Sequence, residues 1–193
     1  MIDPSNITTN TATLDELEEL ILFWVCAAGK NGRTAARCLD TLLDSIHKEG
    51  CSPFDCIRAC NKPLPQLLKM CGIGCYNSKA KSFIQLSESS LNLRTCTADD
   101  LESIHGIGMK TARCFIMHSR STARYAGLDT HILKHLRTKG VENVPKSTPS
   151  SKREYKRLEK EVLKLADKAG MSPSQYDLMI WNKYSVKSTP RVR

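Results

Sequence analysis

Lys110 and Asp129, nineteen residues apart, are the residues of this chain whose types and setting could do covalent chemistry. The lysine directly follows the segment Gly106-Ile-Gly108-Met109, in which two glycines one residue apart allow a tight reversal of the backbone. If a helix begins at Met109, its first amides and its positive dipole end lie beside the glycines, where a phosphate can bind. An amine, a carboxylate and a phosphate site lie within residues 97–137. Together they predict that this stretch binds a nucleic-acid backbone and carries out a reaction next to it.

Helix signals flank this turn and must position both side chains. Thr97, with Asp100 three positions later, predicts the N-terminal cap of a short helix before the turn. Asp129 is a favourable N-cap for the helix that follows it, and a plain capping role is the alternative to catalysis. Both roles are compatible, since a cap fixes the carboxylate while one oxygen still faces outward.

Patterns typical of strands are scarce, and residues that cap or end helices are frequent along the whole chain. The fold class predicted from the pattern is therefore all-α. The expected helices are one after Thr13 that ends before Gly29, one over about Gly32–Lys48, two short ones starting at Ser52-Pro53 and at Pro63/Pro65, one after Asn77, and others near 109–118, 130–138, 152–169 and 173–184.

Two segments around the reactive pair resemble the helix-hairpin-helix DNA glycosylase superfamily: Leu101-Glu-Ser-Ile-His-Gly-Ile-Gly-Met-Lys-Thr-Ala112 and Leu128-Asp-Thr-His-Ile-Leu133. The segment Ile73-Gly-Cys-Tyr-Asn-Ser-Lys-Ala-Lys81 is similar to part of its endonuclease-three branch. The segment Gly170-Met-Ser-Pro-Ser-Gln-Tyr-Asp-Leu-Met-Ile-Trp181 is similar to the C-terminal helix of compact archaeal-type 8-oxoguanine glycosylases. The resemblance covers roughly residues 67–184.

This resemblance implies two helical lobes with an active-site cleft between them. Residues 12–125 would form a helical-barrel lobe with the DNA-binding hairpin at about 97–118. Residues 126–193, together with 1–11, would form the second lobe, which carries the catalytic aspartate and ends in a basic tail at 185–193.

The resemblance also implies catalytic roles for the reactive pair. Lys110 occupies the position of the catalytic lysine in the bifunctional members, where its neutral amine attacks the sugar, displaces the base and leaves a Schiff base. Asp129 would stabilise the positive charge that develops on the sugar as the base leaves. Judged by residue type alone, Lys110 could equally be a solvated surface lysine.

Further site residues are assigned by their position in the resemblance. The predicted DNA contacts are Gly106, Ile107, Gly108, Met109, Thr111, His131, Asn77 and Lys79. Trp181 and Asp177 are predicted to line the base pocket, whereas Trp24 and Phe115 are interpreted as core residues. The backbone carbonyls of Glu102, Ile104 and Ile107 are the predicted ligands of a monovalent cation. For His131, a helix-face histidine with no partner is the open alternative.

Composition favours a polyanionic partner. Lys and Arg outnumber Asp and Glu by 29 to 20, which gives a formal charge of +9. No run of about 18 apolar residues and no signal-peptide pattern is present. We therefore expect a cytoplasmic (nucleoid) or nuclear protein that is not secreted and does not enter a membrane.

The nine cysteines match no common zinc spacing, and we expect reduced thiols. Members of the endonuclease-three branch hold an iron–sulfur cluster on four cysteines after the catalytic aspartate. In this chain the last cysteine, Cys114, precedes Asp129, so no iron–sulfur cluster is expected, and no cofactor is expected apart from the monovalent cation at the hairpin.

The function predicted from the sequence is a monomeric, bifunctional DNA glycosylase/AP lyase of base excision repair. Its substrate would be double-stranded DNA with an oxidised base, with 8-oxoguanine favoured. An oxidised pyrimidine such as thymine glycol is the alternative lesion, because of the similarity at Tyr76-Asn-Ser-Lys79. The same residues would also suit a DNA-binding module without catalysis, or a base-modifying protein on the same fold.

Overall fold

The computed structural model describes residues 2–60 and 62–185, and this part of the chain is all helical, as predicted. The predicted tail at 185–193 lies outside the described residues from position 186 onward. The ten helices within the described ranges are α1 (Leu14–Ala27), α2 (Gly32–Ile46), α3 (Pro53–Ala59), α4 (Leu64–Met70), α5 (Tyr76–Glu88), α6 (Ala98–Glu102), α7 (Met109–Ser119), α8 (Thr130–Thr138), α9 (Lys152–Lys168) and α10 (Pro173–Ser185).

Capping side chains set most helix starts where the sequence predicts them. Thr13 and Thr97 each form a reciprocal capping box, with Glu16 and Asp100 respectively. Helix α5 begins earlier than predicted, because Cys75 takes a left-handed conformation, with φ of 53°, and ends the preceding turn. Few residues other than glycine adopt this conformation, so the sequence carries no signal for it.

Two separate clusters of buried apolar side chains form the cores of the two lobes. The first draws on helices α1 to α7, with Phe23, Phe83 and Phe115 among its fully buried members. The second draws on the segment before α8 and on α8 to α10, with Leu128 and Tyr155 at its centre. The chain passes from one cluster to the other between α7 and α8.

The N-terminal segment belongs with the first lobe, so its predicted place in the second lobe is wrong for residues 2–11. Ile7 is buried in the first cluster, and Ile2 packs against that cluster. The amide of Thr9 donates a hydrogen bond to the carbonyl of His118 in α7, at 2.8 Å. The contacts of these two isoleucines decide the placement, since apolar contact with the first core removes their surface from water.

Arg113 of α7 connects the two lobes through a buried ion-pair network. Its Nη1 lies 2.5 Å from Glu102 of the first lobe, and its Nε lies 3.2 Å from Glu159 of α9. The guanidinium also lies 4.8 Å from the ring centroid of Tyr155. Because Arg113 pairs with Glu102 in the first lobe and with Glu159 in the second, it fixes the position of α7 relative to α9.

No helix in the described ranges is long and apolar enough to cross a membrane. All nine cysteines are free thiols. The described residues contain no group of three or more His, Cys, Asp or Glu side chains placed to hold a metal ion.

Candidate active site

The hairpin between α6 and α7 is held in place by side chains of α5. Gly106 has φ of 76°, and a Cβ at this position would lie 2.7 Å from Ser82 Oγ. Ser82 Oγ donates a hydrogen bond to the carbonyl of His105 at 2.6 Å, and Gln85 Oε1 accepts the amide of His105 at 2.8 Å. The turn therefore needs glycine at position 106 both for its conformation and for its close approach to α5.

Helix α7 begins at the hairpin with an open N-terminus. Gly108 is the N-cap and is exposed, and no side chain caps the helix. The backbone N–H groups that follow it, from Met109 onward, can donate hydrogen bonds to a phosphate group. The side chains of Ile107 and Thr111 are buried, so these two residues could contact DNA only through the main chain.

A cavity of about 490 Å³ lies between the lobes and contains the predicted catalytic pair. Lys110, on the first turn of α7, lines it from the first lobe, and Asp129, the N-cap of α8, lines it from the second. Asp177 and Trp181 of α10 complete the wall on the side of the second lobe. The structure thus brings together the four residues that sequence analysis assigned to catalysis and to the base pocket.

The segment before Asp129 is fixed by hydrogen bonds from α9 and from the loop that precedes α9. The Tyr155 hydroxyl accepts the amide of Leu128 at 3.0 Å and donates to the carbonyl of Ala126 at 2.9 Å. Thr148 donates its hydroxyl to the carbonyl of Leu128 at 2.7 Å. A backbone bound from two sides holds the Asp129 carboxylate against the cavity with little freedom to move.

The carboxylate of Asp129 combines a capping contact with an unfavourable electrostatic setting. Its Oδ1 accepts the amide of Ile132 at 2.8 Å, as expected for an N-cap. Burial, followed by the negative charge of Asp177, raises the pKa of Asp129 above its ordinary value. The Ile132 amide and the positive charges of Lys110 and His131 act in the opposite direction. The amine and the carboxylate are therefore electrostatic neighbours as well as neighbours in the cavity.

Two tryptophans line the cavity, and sequence analysis assigned one of them to the core. Trp24 packs against the first core, as interpreted, and it also lines the cavity, a role that sequence analysis did not assign to it. Its buried indole nitrogen has no hydrogen-bond partner among the described residues. Trp181 also lines the cavity, with the guanidinium of Arg33 5.9 Å from its ring centroid.

Sequence analysis missed His118, which is fully buried beside the cavity on the same helix as Lys110. Its Nε2 lies 3.3 Å from Asp177 Oδ2, and its ring stacks on Trp24 with centroids 5.4 Å apart. A signal was present, because Lys110, Cys114 and His118 follow one another at four-residue intervals and so share one helix face.

Lys79 is not a DNA contact, so that prediction is wrong. Its side chain is buried, and its ammonium donates to the carbonyls of Cys26, at 2.8 Å, and Ala28, at 3.3 Å. The C-terminal end of α1 provides unpaired carbonyls and the negative end of a dipole, which attract a cation. Asn77, two residues earlier, is exposed on the first turn of α5, and its DNA contact stays a prediction.

Two further assignments, the phosphate contact of His131 and the cation site, are neither supported nor contradicted by the geometry. His131 lines the cavity and stacks on Tyr184, with ring centroids 6.2 Å apart, so the interpretation as a histidine without a partner is wrong. Its phosphate contact stays a prediction. The carbonyl of Ile104 accepts the amide of Ile107 at 3.1 Å, and a carbonyl has a second lone pair for a cation.

The comparison with known families matches residues 56–171 to the 8-oxoguanine DNA glycosylase family with the helix-hairpin-helix motif. A curated relative from Thermotoga sp. (strain RQ2), an 8-oxoguanine DNA glycosylase/AP lyase, is 36% identical over 83 residues. That alignment spans 42% of this chain and only 38% of the relative.

Solved structures agree on the fold. The 8-oxoguanine DNA glycosylase of Thermotoga maritima superposes with a TM-score of 0.70 at 23% identity, covering 93% of this chain and 83% of the other. The Methanocaldococcus jannaschii 8-oxoguanine glycosylase/lyase, solved with a 15mer DNA containing 8-oxoguanine, gives a TM-score of 0.71 at 19% identity, with 93% and 85% covered. The family match extends over more than half of the chain, and the protein therefore belongs to the helix-hairpin-helix family of 8-oxoguanine DNA glycosylases.

Proposed function

We propose that this protein is a bifunctional DNA glycosylase and AP lyase that removes 8-oxoguanine from double-stranded DNA. The observation that carries the proposal is that Lys110 and Asp129, supplied by different lobes, line one cavity. The volume of this cavity, about 490 Å³, lies within the range of small-molecule pockets, so a flipped nucleobase can enter it.

The first chemical step joins the protein to the sugar. The lone pair of the neutral Lys110 amine attacks C1′, and the bond between C1′ and the base breaks. The electron pair of that bond leaves with the base, which takes up a proton released from the lysine nitrogen. The ionised carboxylate of Asp129 stabilises the positive charge on the sugar while this bond breaks.

The second step cuts the strand. The sugar ring opens to give a Schiff base between Lys110 and C1′. Loss of a proton from C2′ and departure of the 3′ phosphate oxygen complete a β-elimination, and water then releases the protein. The chain itself supplies the nucleophile and the carboxylate, so the proposal requires no cofactor.

The cavity chemistry favours an oxidised purine over an oxidised pyrimidine. Asp177 presents a carboxylate, which only accepts hydrogen bonds when ionised. The N1–H and the exocyclic amino group of 8-oxoguanine are adjacent donors that can serve both carboxylate oxygens. A thymine-type edge has one N–H between two carbonyl oxygens, and these would repel the same carboxylate. Thymine glycol remains the second candidate, on the similarity at Tyr76-Asn-Ser-Lys79.

Duplexes that each carry a single lesion test this proposal. We expect the 8-oxoguanine strand to be cut without added alkali, and the thymine glycol strand to be cut little or not at all. A cut that appears only after alkali would show a glycosylase without lyase activity. Binding with every duplex intact would show a DNA-binding module, and would contradict the proposal.

The remaining expectations from the sequence are part of this proposal. The protein would act as a monomer, in the cytoplasm (nucleoid) or nucleus, where the genome is. The net charge of +9 supports a DNA partner, because a net positive charge attracts a polyanion.

A further inference from the structure

His118 contacts two residues that line the cavity and one residue of the N-terminal segment, although no step of the chemistry above uses it. Its Nδ1 lies 2.8 Å from the hydroxyl of Thr8 in the N-terminal segment. Its ring stacks on Trp24 of α1, with an interplanar angle of 18°. Its Nε2 lies 3.3 Å from Oδ2 of Asp177 on α10. A fully buried imidazole with a partner for each nitrogen and for its face has one fixed orientation.

The hydrogen-bond roles follow from the partners. An ionised carboxylate can only accept, so Nε2 carries the proton that is donated to Asp177. Nδ1 pairs with the hydroxyl of Thr8, which can donate or accept a hydrogen bond. The main chain reinforces this arrangement, since the Thr9 amide donates to the carbonyl of His118 at 2.8 Å.

The bond from His118 uses one lone pair of Asp177 Oδ2 and thereby sets the direction of the carboxylate, while both oxygens keep a lone pair for other donors. The Asp177 side chain is 16% exposed and lines the cavity. A carboxylate without this donor could rotate, and its pairing with a base edge would lose its fixed geometry.

We propose that His118 is a positioning residue for base recognition, which holds the Asp177 carboxylate ready for the N–H donors of the flipped purine. This inference rests on the proposed function and deepens it. It separates the two activities of the enzyme, because base release needs recognition of the base, whereas cleavage at an existing abasic site does not. His118 should therefore matter for the first activity and not for the second.

Two amide variants form a matched pair for the test. In His118→Gln the longer side chain can place its amide N–H near the position of Nε2 and can still donate to Asp177. In His118→Asn the amide lies near the position of Nδ1 and cannot reach Asp177. Both variants bury one amide in place of one imidazole, and they differ from each other by one methylene group.

Single-turnover rates would be measured on duplexes with 8-oxoguanine and on duplexes with a preformed abasic site. We expect His118→Asn to slow release of 8-oxoguanine by about 10- to 100-fold, as for a buried acceptor left without its donor. Cleavage of the abasic duplex should stay within about twofold, since Lys110 and Asp129 are unchanged. His118→Gln should restore release to within about fivefold of wild type.

A double-variant cycle tests whether His118 acts through Asp177. Added to Asp177→Asn, the His118→Asn change should slow release by no more than about twofold further. If His118→Asn does not fold, Thr8→Val removes only the Nδ1 partner, and release should then fall by about fivefold with abasic cleavage retained.

Several results would overturn the inference. They are equal losses of both activities in His118→Asn, full release of 8-oxoguanine by that variant, equal defects in the Gln and Asn variants, and additive losses in the double variant. If Thr8→Val is the variant used, unchanged release of 8-oxoguanine or an equal loss of both activities would also overturn the inference. Wild-type protein that cuts abasic duplexes but releases no 8-oxoguanine would instead refute the proposed substrate, and the inference with it.

Discussion

Asp129 caps α8 through the Ile132 amide and also lines the cavity, so one carboxylate serves the fold and the proposed chemistry. The capping role alone could be met by a neutral side chain, since asparagine is an equally good N-cap. In the cavity, in contrast, burial and the nearby negative charge of Asp177 disfavour the ionised form of Asp129 and raise its pKa. In our proposal, chemistry rather than capping accounts for a charged residue at this position.

Asp129→Asn should stabilise the protein while abolishing base release. Because the pKa of Asp129 is raised in the folded state, the protonated form is the one that folding favours. That stability is complete below the ordinary aspartate pKa of about 4 and is lost as the pH rises through the raised value. The neutral asparagine escapes this loss, so urea unfolding at neutral pH should show a more stable variant.

The same reasoning gives the control for Asp129→Asn. As the pH is lowered toward about 4, the wild-type carboxyl becomes protonated and the difference in unfolding free energy should disappear. A variant less stable than wild type at neutral pH would show that attraction to Lys110 outweighs burial, and would contradict our account of this site.

At the residue scale, local signals found the reactive pair but not its surroundings. Lys110 and Asp129 stand at helix starts that glycine and capping patterns mark within a few residues. Lys79 and His118 depend on contacts with residues 51 to 110 positions away along the chain. No local pattern reports such partners, which is why one was misassigned and the other was missed.

The hairpin depends on α5 as much as on its own two helices. Ser82 and Gln85 bind the main chain of His105, so the turn that presents the α7 amides is attached to a helix of the first core. The predicted phosphate site thereby has a rigid support. This support is a tertiary contact, and the sequence showed only the turn itself.

Gly106→Ala should destabilise the protein. The left-handed backbone costs a residue with a Cβ about 1–2 kcal/mol, and the new Cβ would also meet Ser82 Oγ at 2.7 Å. Urea unfolding should show a loss of at least about 1 kcal/mol.

Gly74→Ala is the matched control, because this glycine lies outside the left-handed region and nothing lies within 4 Å of its would-be Cβ. Its effect should stay within about 0.5 kcal/mol. Equal stabilities for the two variants would mean that the contact between the hairpin and α5 does not constrain the turn.

At the scale of the elements, capping patterns predicted most helix starts well, but helix ends and tight loops less well. Helix α2 ends at Ile46 rather than at Lys48, and α5 starts at Tyr76 rather than after Asn77. Side-chain caps are encoded by a few adjacent residues. In contrast, the left-handed Cys75 is tolerated only because the surrounding first lobe holds it.

The whole molecule places two reactive groups on separate cores and then fixes the cores to each other. Arg113 connects Glu102 of the first lobe to Glu159 of the second, and it lies three residues after Lys110 on α7. The network that orients the lobes is therefore built into the helix that carries the proposed nucleophile. The sequence could not show this arrangement, since Glu102 and Glu159 are 57 positions apart.

The placement of the N-terminal segment also depends on contacts that are distant in the sequence. Its chain position near the start said nothing about which lobe it would join, and its assignment to the second lobe was wrong. The structure shows that Ile7 and Thr9 attach it to the first core and to α7, where it also supplies the Thr8 partner of His118.

The most direct measurement of the central claim is identification of the residue that becomes covalently attached to DNA. A duplex containing 8-oxoguanine would be incubated with the protein and borohydride, which reduces a Schiff base to a stable bond. The product would then be digested and the modified peptide sequenced by mass spectrometry. Our account predicts attachment at Lys110 and no adduct with Lys110→Gln; attachment at another lysine, or an adduct that persists in that variant, would contradict it.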